Sequence, residues 1–444
     1  MIPGLRQEIR PMLRLATPLA MAELGWMTMG FVDTVMSGRL GAAAIGAGAL
    51  GSMLFFPIVI CGTGMLAGMD TLVAQAFGSR DDATCRRMLV QGMWLALAIS
   101  PIVAVLLALT VPLLRAVGTN AHVMALLGPF IRALLWGIPP LMFYSAFRRY
   151  LQAMDIVKPI TFAVVSANLL NFGGNWLLMY GNWGFPRLGL EGSGYSTSLS
   201  RVYIALVLLI AVVRHERKSY VPGRISWSAN AGLIRRLSAL GFPSAMQILA
   251  EGAVFGIVSV MAARFDEVSL AAHSIAINVI SLTYMVPLGI SAAAAVRVGQ
   301  AAGRKSRQGM AAAGWTALLI STAFMSAAGL ALAFAPRWIA RLYTPEAAVI
   351  AASASLLRIA ALFEIFDGLQ VVATGALRGL GDTRSPAYAH FVGYWILGLP
   401  IAYLLCFPLG WGVGGIWAGL TAALIAIGLT LVLVWRRRLH QTRF

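Results

Sequence analysis

Charge is what this sequence has least of. Of its 444 residues only 11% are Asp, Glu, Lys or Arg, and 16 are acidic. A soluble domain carries about 25% charged residues, so an ordinary water-soluble enzyme and a disordered chain are both excluded. Cysteine is scarcer still. Cys61, Cys85 and Cys406 lie far apart and form no CxxC, which excludes a disulfide scaffold and a zinc site. No GxxxxGK[ST] phosphate loop occurs, so ATP is not the direct energy source. HExxH and GxSxG are missing as well. The histidines His122, His215, His273, His390 and His440 have no metal-ligand spacing, and His273 and His390 are expected to serve packing. No enzyme activity and no cofactor are expected.

What is present is apolar sequence: 59% hydrophobic residues and a mean hydropathy of +0.81. Charge-poor segments fall at 11–37, 45–69, 88–114, 124–146, 159–180, 190–213, 237–263, 270–296, 310–335, 349–375, 386–408 and 412–435. A spanning helix needs roughly 20 apolar residues, and the segments lack the two-residue alternation of a membrane barrel. The expectation is an all-α polytopic membrane protein with twelve transmembrane helices. The basic residues support the count. Twenty-five fall before or at the start of segment 1, in the even-numbered connections or at the C-terminus, against six in the odd-numbered connections. This asymmetry places both termini in the cytoplasm. It also gives the net charge of +18 a membrane explanation, with no nucleic-acid partner. Arg6, Arg10 and Arg14 ahead of Ala20–Ala22 imitate a signal peptide, but the apolar stretch is short and holds Pro18, so no cleavage is expected.

The segment around Pro18 also recurs later in the chain. TPLAM (17–21) matches FPSAM (242–246), VAQAFG (73–78) matches VGQAAG (298–303), and Arg39 matches Arg264, each 225 residues apart. MDIVKP (154–159) matches GDTRSP (381–386), and GLEG (189–192) matches GVGG (412–415), at nearly the same spacing. The chain therefore reads as two six-helix bundles in the same orientation, related by a pseudo-two-fold axis along the membrane normal around a central cleft. The expected division is an N-lobe over 1–213, a basic cytoplasmic linker over 214–236 and a C-lobe over 237–444. Such duplication is common in transporters, although channels and membrane enzymes duplicate too.

Five acids fall inside apolar segments: Glu23, Asp33, Glu251, Glu364 and Asp367. A charged carboxylate at bilayer depth costs at least about 2.5–3.5 kcal/mol and calls for a polar cavity, a partner or a proton. Ion coupling is the default reading. Asn168, Asn171 and Asn175 share one helix face and, with Thr197, are candidate partners of Asp33. They would equally well glue helices together. Glu364 and Asp367 sit three residues apart, where they could share a proton or cage a cation with Glu251; Glu364 could instead pair with Arg358. Pro18 and Pro243 would each kink a helix.

Taken together, MGFVDTVMSGRLG, RRYLQAMDIVKP, FPSAMQILAEGAVF, AAHSIAINVISLTYMVPLGISAAAAVRVGQAAG and FDGLQVVATGALRGLGDTRSP resemble the MATE (multidrug and toxic compound extrusion) transporters, in particular their NorM-like bacterial branch. The resemblance runs from about residue 10 to 435. It implies export of organic cations in exchange for Na⁺ or H⁺. A monomer in the bacterial inner membrane, in contact with lipid, is the default expectation, with antibiotics among the substrates. By motif position it assigns Asp33 as the N-lobe carboxylate, with Asn171, Asn175 and Thr197 around it. It assigns Glu251 and Asp367 as C-lobe cation ligands, with Na⁺ as the candidate metal. Phe363 stands where the family often has a tyrosine, which removes a hydroxyl ligand. Glu364 stands where glutamine is common, and is expected to offer another ligand or proton site. A lipid-precursor flippase of the same superfamily is the alternative within this fold; a multipass membrane enzyme is the alternative outside it.

Overall fold

The computed structural model describes residues 4–218 and 226–442. Arg224 and Arg443, both counted among the basic residues above, lie outside the described residues. Sixteen α-helices follow one another: α1 (Leu5–Gly38), α2 (Ala42–Met65), α3 (Gly68–Gly78), α4 (Asp82–Ala116), α5 (Ala121–Leu135), α6 (Ile138–Ala153), α7 (Lys158–Leu178), α8 (Leu190–Lys218), α9 (Ala231–Ala262), α10 (Glu267–Gly303), α11 (Arg307–Phe334), α12 (Pro336–Arg341), α13 (Ala347–Leu380), α14 (Arg384–Phe391), α15 (Leu399–Cys406) and α16 (Gly412–Gln441). A π-helical stretch, Val392–Gly398, joins α14 to α15. No strand occurs among the described residues.

Each of the twelve apolar segments is helical. Nine spans among the described residues are long and apolar enough to cross a membrane by composition, with α2 and α3 counted as one. The α5–α6 pair makes a tenth, bent by 45° at its break. The break follows from GIPP at 137–140: prolines suit a helix's first turn but not its interior. The remaining two segments are α1 and α7. At 34 and 21 residues they are long enough to span. Their hydropathy is lowered by Glu23 and Asp33 in α1 and by three asparagines in α7, the same residues that the sequence marks as candidate machinery.

The chain divides into two compact units, one of Met21–Ala245 and the other of Met1–Ala20 with Met246–Phe444. The division differs from the 213/237 linker expected from sequence. The reason lies in where two leading helical segments pack. In the first unit the end of the basic connection is docked: Trp94 donates to the Trp227 carbonyl (2.8 Å), Gln91 donates to the Ser228 carbonyl (3.0 Å), and the Asn230 N–H donates back to Gln91 (2.7 Å). The start of α9 then crosses α2 and α3 closely, and a Cβ on Gly241 would stand 1.9 Å from the Met65 carbonyl oxygen. In the second unit the first four turns of α1 lie against α10. Arg297 holds Glu8 with two bonds of 2.6 and 2.9 Å, and Gly289 meets the Ala20 backbone. Both divisions fall two residues after a proline, Pro18 in α1 and Pro243 in α9. Neither helix is interrupted there.

Candidate functional site

The structure gathers the in-helix carboxylates into clusters, one in each unit, with a separate ion pair at Glu23. In the first unit Asp33 lies one turn before the end of α1. Asn175 donates to one carboxylate oxygen (2.6 Å) and Thr197 to the other (3.1 Å). Asn171 stands behind both: its amide donates to Thr197 (3.4 Å), and its carbonyl oxygen accepts from Asn175 (3.3 Å). Small residues allow this approach of α7 and α8. A Cβ on Gly174 would lie 2.4 Å from the Ser196 hydroxyl, and one on Gly192 would lie 2.4 Å from the Leu178 carbonyl. Asn168 leaves the stripe. Its amide donates to the Gly25 carbonyl (3.0 Å), so it ties α7 to α1 and takes no part at Asp33.

In the second unit Gln370 bridges two acids, donating to Asp367 (3.0 Å) and to Glu251 (3.3 Å). Tyr394 donates to Glu251 (3.4 Å), and His390 lies 3.5 Å from its other oxygen. Gln247 and Thr374 contact the His390 ring at 3.4 Å. Glu364 is fully buried, takes a hydrogen bond from Thr283 (2.7 Å), and leaves its second oxygen with no hydrogen-bond partner. It does not pair with Arg358, which is exposed. Phe363 turns away from the acids and packs its ring against Trp417. The hydroxyl it lacks comes instead from Tyr394, on the π-helical stretch, where the widened turn is a device common at functional positions. A G-x-x-x-G in α13 holds the cluster close to α10: Cβ atoms on Gly375 and Gly379 would stand 2.2 and 2.6 Å from the Ser291 and Ala295 carbonyls.

Four members of this second cluster, Gln247, Gln370, His390 and Tyr394, escape sequence reasoning. Gln370 left a trace, three residues after Asp367 in FDGLQ, and His390, expected to serve packing, instead lies 3.5 Å from Glu251. His273, by contrast, packs as expected, between Ser259 and the Trp417 indole. Glu23 pairs with Arg148 and so differs from the other in-helix acids. Asp70, in a segment with no predicted role, is buried against Arg149.

Chemically, the second cluster offers two carboxylates and the Gln370 carbonyl oxygen, which is buried and has no hydrogen-bond partner. Oxygen donors suit a hard monovalent cation or a proton. The first cluster offers one carboxylate and the Asn175 carbonyl oxygen, likewise without a partner. Among the described residues no three His, Cys, Asp or Glu side chains are grouped to hold a metal ion.

Comparison with known proteins gives concordant results. The MatE family model matches twice, over residues 18–177 and 243–404. The two matches start 225 residues apart, which is the spacing of the internal repeat. A protein named "Probable multidrug resistance protein NorM" from Mesorhizobium japonicum is 36% identical over 450 residues, 98% of this chain and 94% of the relative. One of the same name from Bradyrhizobium diazoefficiens is 36% identical over 97% of this chain and 94% of its own length. Among solved structures, an outward-facing multidrug resistance MATE family transporter of the MOP superfamily superposes with a TM-score of 0.87 at 19% identity. It covers 98% of this chain and 97% of that one.

Proposed function

This chain belongs to the MATE (MatE) family of membrane transporters, and from that premise we propose that it is a multidrug efflux pump working as a secondary antiporter. It exports organic cations and takes in Na⁺ or H⁺ by alternating access. The observation that carries this reading is a pair of carboxylate clusters buried in apolar helical units, each held by neutral donors and no direct ion pair to Lys or Arg. Such a site has a use for a visiting positive charge.

Inward movement of one charge down a 100 mV potential supplies about 2.3 kcal/mol. That energy drives export only if the ion changes the relative stability of the two access states. Occupying Asp33, or the Glu251–Asp367 pair with Glu364 beside it, neutralises negative charge and weakens attraction for a cationic drug, so ion entry favours drug release. The acids do not suit the phosphates of a lipid-linked precursor. The outward apolar side chains suit lipid, and the basic residues favour a bacterial inner membrane with both termini in the cytoplasm. A monomer suffices for the cycle.

The test is efflux of ethidium from proteoliposomes under separately imposed Na⁺ and pH gradients. Asp33→Asn, Glu251→Gln and Asp367→Asn are each expected to reduce gradient-driven efflux at least about tenfold, a barrier change near 1.4 kcal/mol. Wild-type efflux from all three variants would refute the mechanism.

A further inference from the structure

A buried arginine lies near the first cluster and is not accounted for by it. Arg201 is 6% exposed, in the middle of an apolar helix. Its Nε and Nη1 have no hydrogen-bond partner. Unsatisfied donors on a buried cation are costly, and more so at bilayer depth, so an arginine kept there calls for a partner in some arrangement of the protein. In the arrangement seen, the guanidinium rests 4.3 Å over the Phe55 ring, a cation–π contact that satisfies none of its N–H donors. It sits beside Gly137, where a Cβ would stand 3.0 Å from both Nη1 and Cδ. Gly137 follows the last turn of α5 at the break in that span, where the partial negative charge of a helix C-terminus gathers.

Thr197, which donates to Asp33, lies one turn before Arg201 on the same face of α8. Arg201 Nε and Nη1 do not reach Asp33 here, whose oxygens accept from Asn175 and Thr197. The aligned position in the second repeat, near Leu424, is apolar.

We propose that Arg201 is a tethered counter-cation that competes with the coupling ion for Asp33. With the ion on the carboxylate, Arg201 stays parked over Phe55 beside Gly137. When the ion leaves, a rotamer change on the long side chain brings the guanidinium fork to the Asp33 carboxylate. The emptied carboxylate is then not left bare, and Arg201 lowers the affinity of the site for any monovalent cation and speeds its release. Arg201 is thus a positioning and affinity-setting residue of the first cluster. The proposal rests on the reading that Asp33 takes part in coupling.

The test uses the full chain in proteoliposomes, with ethidium as the organic cation and Na⁺ and H⁺ gradients imposed in turn. Arg201→Met is expected to lower the half-maximal concentration of the driving cation about tenfold, a change of 1.4 kcal/mol, and to slow the maximal rate. Arg201→Lys should fall between Met and wild type. In an Asp33→Asn background Arg201→Met should change nothing further. Gly137→Ala crowds the parking place and should raise the half-maximal concentration, which keeps the test open if Arg201→Met does not fold. An unchanged half-maximal concentration in a folded Arg201→Met, or in Gly137→Ala, overturns the proposal while coupling through Asp33 stands. Wild-type coupled efflux from Asp33→Asn instead overturns the underlying reading.

Discussion

At the scale of single residues, neutral donors govern the acids. Gln370 holds Glu251 and Asp367 with one amide nitrogen. A hydrogen bond to a charged group contributes about 1.5–3 kcal/mol, and here it stabilises the state in which no cation occupies the pair. Gln370→Met removes both this donor and the carbonyl oxygen offered to the cation. Maximal gradient-driven efflux is expected to fall about tenfold, a barrier change near 1.4 kcal/mol, as measured in the same proteoliposome assay. The acids themselves were legible in the sequence because a carboxylate inside an apolar run is conspicuous on energetic grounds. Asn171 and Asn175 were legible because their spacing places them on one face. Gln247, Gln370, His390 and Tyr394 were not. A neutral polar side chain is tolerated in a span for many reasons, and only the packing of α9, α13, α14 and the π-helical stretch brings these four to one carboxylate pair. The pairing of Glu23 with Arg148 was hidden for the same reason, since α1 and α6 are far apart along the chain.

At the scale of elements, small residues set how closely helices approach. A Cβ on Gly375 would meet the Ser291 carbonyl at 2.2 Å, where backbone cannot yield easily; one on Gly252 would meet nothing within 4 Å. Gly375→Ala is expected to destabilise the protein by about 1–3 kcal/mol, while Gly252→Ala, inside α9, should be neutral or slightly stabilising. Thermal melting of the purified variants in detergent separates the two.

Helix starts are set by caps. Asp81 caps α4, accepting from the Thr84 N–H (2.9 Å) and hydroxyl (2.6 Å), and these bonds hold its carboxyl below the usual range. The folded value lies below the unfolded one, so the stabilisation is present above the unfolded pKa, near about 3.9, and is lost as pH falls through the folded value. Asp81→Ala should cost about 1 kcal/mol at neutral pH, and the deficit should disappear in melts taken at acid pH. Helix existence was legible at this scale from apolar runs alone. GIPP carries a trace of the break at Gly137, whereas the π-helical turn at Val392–Gly398 leaves none, because it depends on which backbone hydrogen bonds packing sacrifices.

For the whole molecule, duplication was the clearest message of the sequence, and two family-model matches 225 residues apart agree with it. The unit boundaries were less legible. Charge and hydropathy mark where the chain leaves the apolar phase but not which unit a helix packs against, so the residues before Pro18 and Pro243 were assigned by chain order. The bidentate pair of Glu8 with Arg297 is the polar contact that fixes the leading part of α1 to α10. Glu8→Gln is expected to destabilise the protein by roughly 1–3 kcal/mol through the loss of one partner of a half-buried pair, read as a lowered melting temperature. The double variant Glu8→Gln/Arg297→Gln should recover part of the loss, since both charges then leave together.

The unit built from Met21–Ala245 has a consequence for biogenesis. The ribosome delivers the chain in order, so this unit lacks its final piece until α9 begins to emerge, and the opening twenty residues wait through most of synthesis for α10. A gene cut after α8 would yield two fragments, each missing a helix segment encoded on the other.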